Sequence, residues 1–215
     1  MNDFIDAYCE RMDAGFWAEP LNAVTNAAFL LVALLLYRRL RGTGDRVALA
    51  LAALIAVIGV GSFLFHTFAT RWAAIADVLP ITLFMMSAVV IGLQRRFGLP
   101  GQFAALGAMV FFLSGVMIGL SPLVTVIPGG SAGYLPALVT LALFGLLLAR
   151  RGDGFARYFL LATPVFALSL TLRTLDMPLC EAVPLGTHFT WHLLNAVTLY
   201  LVTRGLLRNG TSGAS

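Results

Sequence analysis

Along most of the chain, apolar residues run for about 20 positions at a time, the length that carries a helix across a bilayer. Seven such segments stand out: Pro20 to Leu40, Val47 to Phe68, Ala73 to Leu93, Pro100 to Leu120, Ala132 to Ala149, Phe155 to Leu175, and Thr187 to Leu207. The breaks between them carry Gly, Pro or Arg, as in RRLRGTGDR, QRRFGLP, SPLVTVIPGGSAG and RRGDGFAR. The pattern predicts an all-α membrane protein, a bundle of seven transmembrane helices. It forms a single domain over residues 1–208, with a short extracytoplasmic segment (1–19) in front and a flexible tail (209–215) behind. No polar stretch exceeds about 20 residues, too few for a second soluble domain of roughly 50.

Composition agrees. Of 215 residues, 60% are hydrophobic and 11% charged, less than half the charge of an average soluble domain, about 25%. An ordinary cytosolic domain, a secreted disulfide scaffold and a disordered chain are thereby excluded. The net charge of +4 comes from 14 arginines and no lysine, against 7 Asp and 3 Glu. Nucleic-acid binding would need those arginines on one soluble face. They fall instead in the short gaps, and no protein partner is inferable. The missing lysine also removes a retinal Schiff base, which requires its amine. The first sixteen residues, MNDFIDAYCERMDAGF, are acidic and lack the basic start of a signal peptide.

The arginines set a direction. Eleven of the 14 (Arg38, Arg39, Arg41, Arg46, Arg95, Arg96, Arg150, Arg151, Arg157, Arg204 and Arg208) lie in the odd-numbered loops or near the C-terminus. The positive-inside rule then predicts the N-terminus outside and the C-terminus in the cytoplasm. The exclusive use of arginine hints at a bacterial inner membrane, with the outer ends toward the periplasm. Cys9 and Cys180 both fall on the predicted outer side, where disulfides persist. Pairing would tie the N-terminal segment over the mouth of the bundle; two unpaired thiols are the alternative.

Ionisable groups within spans are costly and mark candidate sites. Apart from arginines at the span ends, they are His66, Asp77, Asp176, His188 and His192, including every histidine in the chain, and all map to the outer ends of their helices. His188 and His192, in HFTWH, are four apart, so one helical face carries both imidazoles. Such a pair commonly offers two ligands to Zn²⁺. With His66 as the third, one tetrahedral position stays free, the pattern of a catalytic site. Ser62 shares His66's face in SFLFH. Asp77, at the predicted start of the next helix, returns to the same depth, where a carboxylate would exchange protons with water and a leaving amine. Asp77 otherwise reads as a helix cap, in DVLP, and Asp176 as the partner of Arg173 three residues earlier.

With these residues in hand, the chain resembles the alkaline ceramidases, seven-helix membrane amidases. The resemblance rests on YCE with FWAEPLNAVTN, on GSFLFHTFATRWAAIADVLP and on THFTWHLLN. It implies that His66, His188 and His192 bind zinc, that Asp77 and Ser62 contact its water, and that Cys9 bridges Cys180. It also implies a Ca²⁺ in the N-terminal segment, with Glu10, Glu19, the Tyr8 carbonyl and Asp13 as candidate ligands. There the match is incomplete: Ala7 stands where the family has an acid, and the stretch to Glu19 is shorter. The expected function is zinc-dependent hydrolysis of a ceramide-like amide to a fatty acid and a sphingoid-type amine, with membrane lipid as partner. A zinc lipid esterase or phospholipase would use the same groups, and a seven-helix receptor would use the site for recognition alone. A haem carrier is disfavoured, because His188 and His192 share one face.

Overall fold

The computed structural model describes Met1 and residues 3–208; the tail expected at 209–215 lies outside the described residues. The chain is helical: α1 (Pro20–Thr25), α2 (Ala27–Leu40), α3 (Arg46–Phe68), α4 (Arg71–Phe97), α5 (Gly101–Gly119), α6 (Leu123–Val126), a 3₁₀ turn (Ser131–Tyr134), α7 (Leu135–Arg150), α8 (Ala156–Thr174) and α9 (His188–Gly205). Among the described residues no strand forms; Phe4 and Thr70 make one isolated bridge.

Helix lies at each of the seven apolar segments. Five are long and apolar enough to cross a membrane: Pro20–Leu40, Arg46–Phe68, Arg71–Phe97, Gly101–Gly119 and Ser131–Arg150. The chain is therefore an integral membrane protein. In α8 the arginines Arg157 and Arg173, and in α9 the polar His188, His192 and Asn195, dilute the apolar character. Large apolar side chains such as Leu31, Val57, Leu83, Leu106 and Leu161 face outward, a surface suited to lipid and unfit for water. Inside, Leu36, Ile55, Ile58, Phe84, Leu148 and Phe159 build the core.

The first segment comprises two helices, α1 and α2, joined at Asn26, which itself keeps helical dihedrals (φ −63°, ψ −18°). Pro20 stands in the first turn of α1, where its missing N–H costs nothing. At that junction the Asn26 side-chain amide donates to the Asn22 carbonyl at 2.8 Å, in competition with the backbone ladder.

Polar contacts gather at the two ends of the bundle. At one end Asp45 caps α3 through the Ala48 N–H (3.1 Å), accepts both Arg95 donors (2.8 and 2.9 Å) and receives the Arg208 N–H (3.2 Å). Arg95 also reaches the Leu206 carbonyl, so α3, α4 and α9 are clipped together. Burial alone would raise the Asp45 carboxyl, but the Arg95 bonds and two backbone N–H groups outweigh it and hold it below the usual carboxylate range.

At the opposite end, residues 3–19 lie across the helix termini. Ile5 donates to the Ala69 carbonyl at 2.8 Å, and Cys9 is bonded to Cys180 in the α8–α9 loop. Ala69 closes α3 in the left-handed region (φ 45°), a conformation that costs a side-chain-bearing residue roughly 1–2 kcal/mol. This sharp reversal lets α4 return along α3 after two residues. Gly61 sets how closely they approach, because a β-carbon there would collide with the Ala76 carbonyl.

Candidate metal centre

The three histidines converge at the end of the bundle that carries the N-terminal segment, from the last turn of α3 and the first turns of α9. His66, His188 and His192 are all buried, and their candidate ligand nitrogens lie within 4.8 Å of one another. Among the described residues they are the group of this kind that could hold a metal ion.

Hydrogen bonds decide which nitrogens face inward. His66 Nδ1 lies 2.6 Å from Glu19 Oε2. Burial pushes the Glu19 carboxyl up, yet hydrogen bonds from His66, Asn22 and Arg11 together hold it below its ordinary range. The carboxylate therefore accepts, and His66 Nδ1 donates. His192 Nδ1 lies 2.9 Å from Thr25 Oγ1, whose own hydroxyl donates to the Leu21 carbonyl at 2.7 Å. Thr25 must then accept, so His192 Nδ1 also carries the proton.

Both Nε2 atoms are left with lone pairs, and they face each other 3.1 Å apart. Two buried acceptors at that distance repel unless a positive centre lies between or beside them. His188 adds a buried Nδ1 without a hydrogen-bond partner. These orphaned donors of electron density fit a metal ion held by three imidazoles, with Glu19 and Thr25 behind two of them. Such outer partners fix ring orientation and raise ligand basicity.

Ser62 and Asp77 come to the same end. Asp77 sits two turns inside α4 rather than at its start, since the helix begins at Arg71 after the Thr70 cap; it does not cap the helix. Its carboxylate is engaged by the Ser62 hydroxyl and lies in the field of His66, while Oδ1 is buried without a partner. Tyr8 covers the centre, its ring stacked on His188 at 3.6 Å between centroids. Burial raises the Tyr8 phenol despite the nearby Arg173, and Arg173 donates to the Tyr8 hydroxyl at 3.3 Å.

Asp176 is not the partner of Arg173. It lies beyond the end of α8, and its carboxylate accepts the backbone N–H groups of Cys9 (2.9 Å), Thr187 (2.6 Å) and His188 (2.8 Å). It thereby anchors the start of α9 and the disulfide segment together. Arg173 turns instead to Ser131 and the Gly129 carbonyl. The residues expected around calcium are not assembled as a ligand group. Glu10 caps α1, accepting from Leu21 (2.7 Å) and Asn22 (2.8 Å); Glu19 serves His66; Asp13 is exposed, bonded to the Gly15 N–H. Sequence reasoning missed Thr25, Arg11 and Gly61. Only Gly61 had a local signal, a small residue in an apolar helix where backbones can approach.

Fold and centre together define a helical membrane protein with a buried three-histidine site capable of holding a metal. A family model described as Ceramidase matches residues 7–208, and the chain belongs to the ceramidase family, whose activity is the hydrolysis of the ceramide amide. Comparison with curated proteins finds no match.

Proposed function

We propose that the protein is an intramembrane zinc-dependent amidase that cuts the amide bond of ceramide, releasing a fatty acid and a sphingoid-type amine. Residues 1–208 would act as one domain of seven crossing helices, with the site at the extracytoplasmic end. The observation that carries the reading is the pair of Nε2 lone pairs facing each other at 3.1 Å, with the unpartnered Asp77 Oδ1 at the same end. The facing nitrogens would serve as two of three imidazole ligands to a zinc ion, the donor set of a catalytic rather than a structural site.

His66, His188 and His192 would hold the ion, which when bound polarises the amide carbonyl and lowers the pKa of a water toward neutrality. Glu19 and Thr25 keep two of the rings turned so that Nε2 points inward. Asp77 Oδ1 accepts a proton from the attacking water and returns it to the departing amine nitrogen. Ser62 holds the carboxylate in place for both transfers. A cavity between α4, α5, α7, α8 and α9, lined by Phe84, Val89, Leu141, Phe144 and Leu199 among others, offers an apolar bed for the acyl chain. A membrane-dissolved substrate reaches it without leaving lipid.

Metal content of the detergent-purified protein, measured by mass spectrometry, tests the reading. We expect one zinc per chain, lost with activity in His192→Ala. Asp77→Asn should keep the zinc and lose about 10²–10⁴-fold in turnover, the scale of general acid–base catalysis. Metal-free wild-type protein, or full ceramide hydrolysis by Asp77→Asn, would sink it.

A further inference from the structure

The resemblance to alkaline ceramidases carries the expectation of a calcium ion in the N-terminal segment, and the residues do not fit one. Both Glu10 oxygens are taken by the backbone N–H groups of α1. Glu19 Oε1 is bonded to Arg11, and Oε2 to His66 and Asn22. The Tyr8 carbonyl accepts the Arg11 N–H at 3.2 Å.

At the middle of this segment lies the Arg11 guanidinium, its side chain wholly enclosed. It donates to the Glu19 carboxylate and to three main-chain carbonyls: Asp13 (3.1 Å), Gly15 (3.4 Å) and His66 (2.9 Å). A carboxylate with several carbonyls is the oxygen set that calcium takes. Here a planar guanidinium takes it, with donors held in a rigid fork. A divalent ion brought beside it would meet both repulsion and occupied oxygens.

We propose that Arg11 is a built-in cation standing in for calcium, and that it positions His66 for metal binding. It grips that residue twice. Nη2 binds the His66 carbonyl in the last turn of α3, where free carbonyls favour a cation. Nε holds the Glu19 carboxylate whose other oxygen meets the His66 ring. The segment 3–19 is thus locked to His66 without a second ion, and calcium is dispensable for folding and for the centre.

The test uses full-length protein purified in detergent with no added calcium. Mass spectrometry is expected to find no calcium in the wild type, and millimolar calcium chloride should leave its thermal midpoint unchanged. Arg11→Gln should weaken zinc affinity, read by chelator competition, about 10–100-fold, the usual cost of losing an outer-shell partner. The core variant Leu148→Ala, destabilised far from the site, should keep its zinc affinity. About one calcium per wild-type chain, or a midpoint raised by calcium, would overturn the proposal. So would a folded Arg11→Gln with wild-type zinc affinity, or an equal loss in Leu148→Ala. If Arg11→Gln does not fold, the two calcium measurements on the wild type decide. The calcium half stands apart from the zinc reading: a wild type lacking zinc would defeat the proposed function, while its calcium count would still judge Arg11.

Discussion

Gly61 is a small residue with a large lever. Its missing β-carbon is what lets α3 lie against the Ala76–Asp77 backbone, and Ser62 follows it directly in sequence. Adding one methyl group must push α4 away or bend it, and overpacking of this kind costs about 1–3 kcal/mol. Gly61→Ala is therefore expected to lower the thermal midpoint and to reduce ceramide turnover in the fraction that stays folded, as checked by thermal unfolding and a product assay. The histidines were legible at this scale because charged or titratable groups are scarce within spans and all three imidazoles fell at one depth. Glu19 was legible only as an acid. Its duty to His66, 47 residues away, depends on a tertiary contact that no local pattern records. An acidic residue in an extramembrane segment reads as a cation ligand until its neighbour is known, and here the cation is Arg11.

Element boundaries followed from hydropathy to within a few residues, since lipid-length apolar runs leave little choice. The misreadings arose where a helix stops. Asp176 was placed on the face of Arg173 by assuming helical register, but α8 ends at Thr174 and the register lapses there. Asp77 reads as a helix start because the apolar run begins at Ala73, but Arg71 and Trp72 are already helical, so α4 starts earlier. The links between elements carry stability that can be tested. The disulfide joins residues 171 apart, and breaking such a bridge typically costs about 2–5 kcal/mol. Cys180→Ser should lower the thermal midpoint, and reduction of the wild type should do the same. The Asp45 clip predicts a pH dependence. Its folded pKa is depressed, so its contribution is complete above the unfolded value, about 3.9. That contribution fades as pH falls through the folded one. Unfolding followed from neutral to acid pH should show a loss below the ordinary carboxylate range that is smaller in Asp45→Asn.

For the whole molecule, the all-helical class and the membrane embedding were legible in the sequence, while the packing order of the helices was not, because lipid-facing and core-facing leucines look alike in a row of letters. The contacts place the Asp45–Arg95–Arg208 clip at one end and the histidines, disulfide and segment 3–19 at the other. We expect the clip end in the cytoplasm, by the same charge rule. A reporter that works only in the cytoplasm, fused after Ser215, should be active; a silent fusion with well-inserted protein would reverse the orientation.

The wide spacing of the imidazoles also bears on how the protein is made. His66 is available early in synthesis, but His192 follows 126 residues later, and Cys180 likewise emerges near the end. A nascent chain stopped before α9 owns one imidazole of three. In the proposed reading, capture of the ion by three imidazoles has to await the synthesis of α9, which brings two of them.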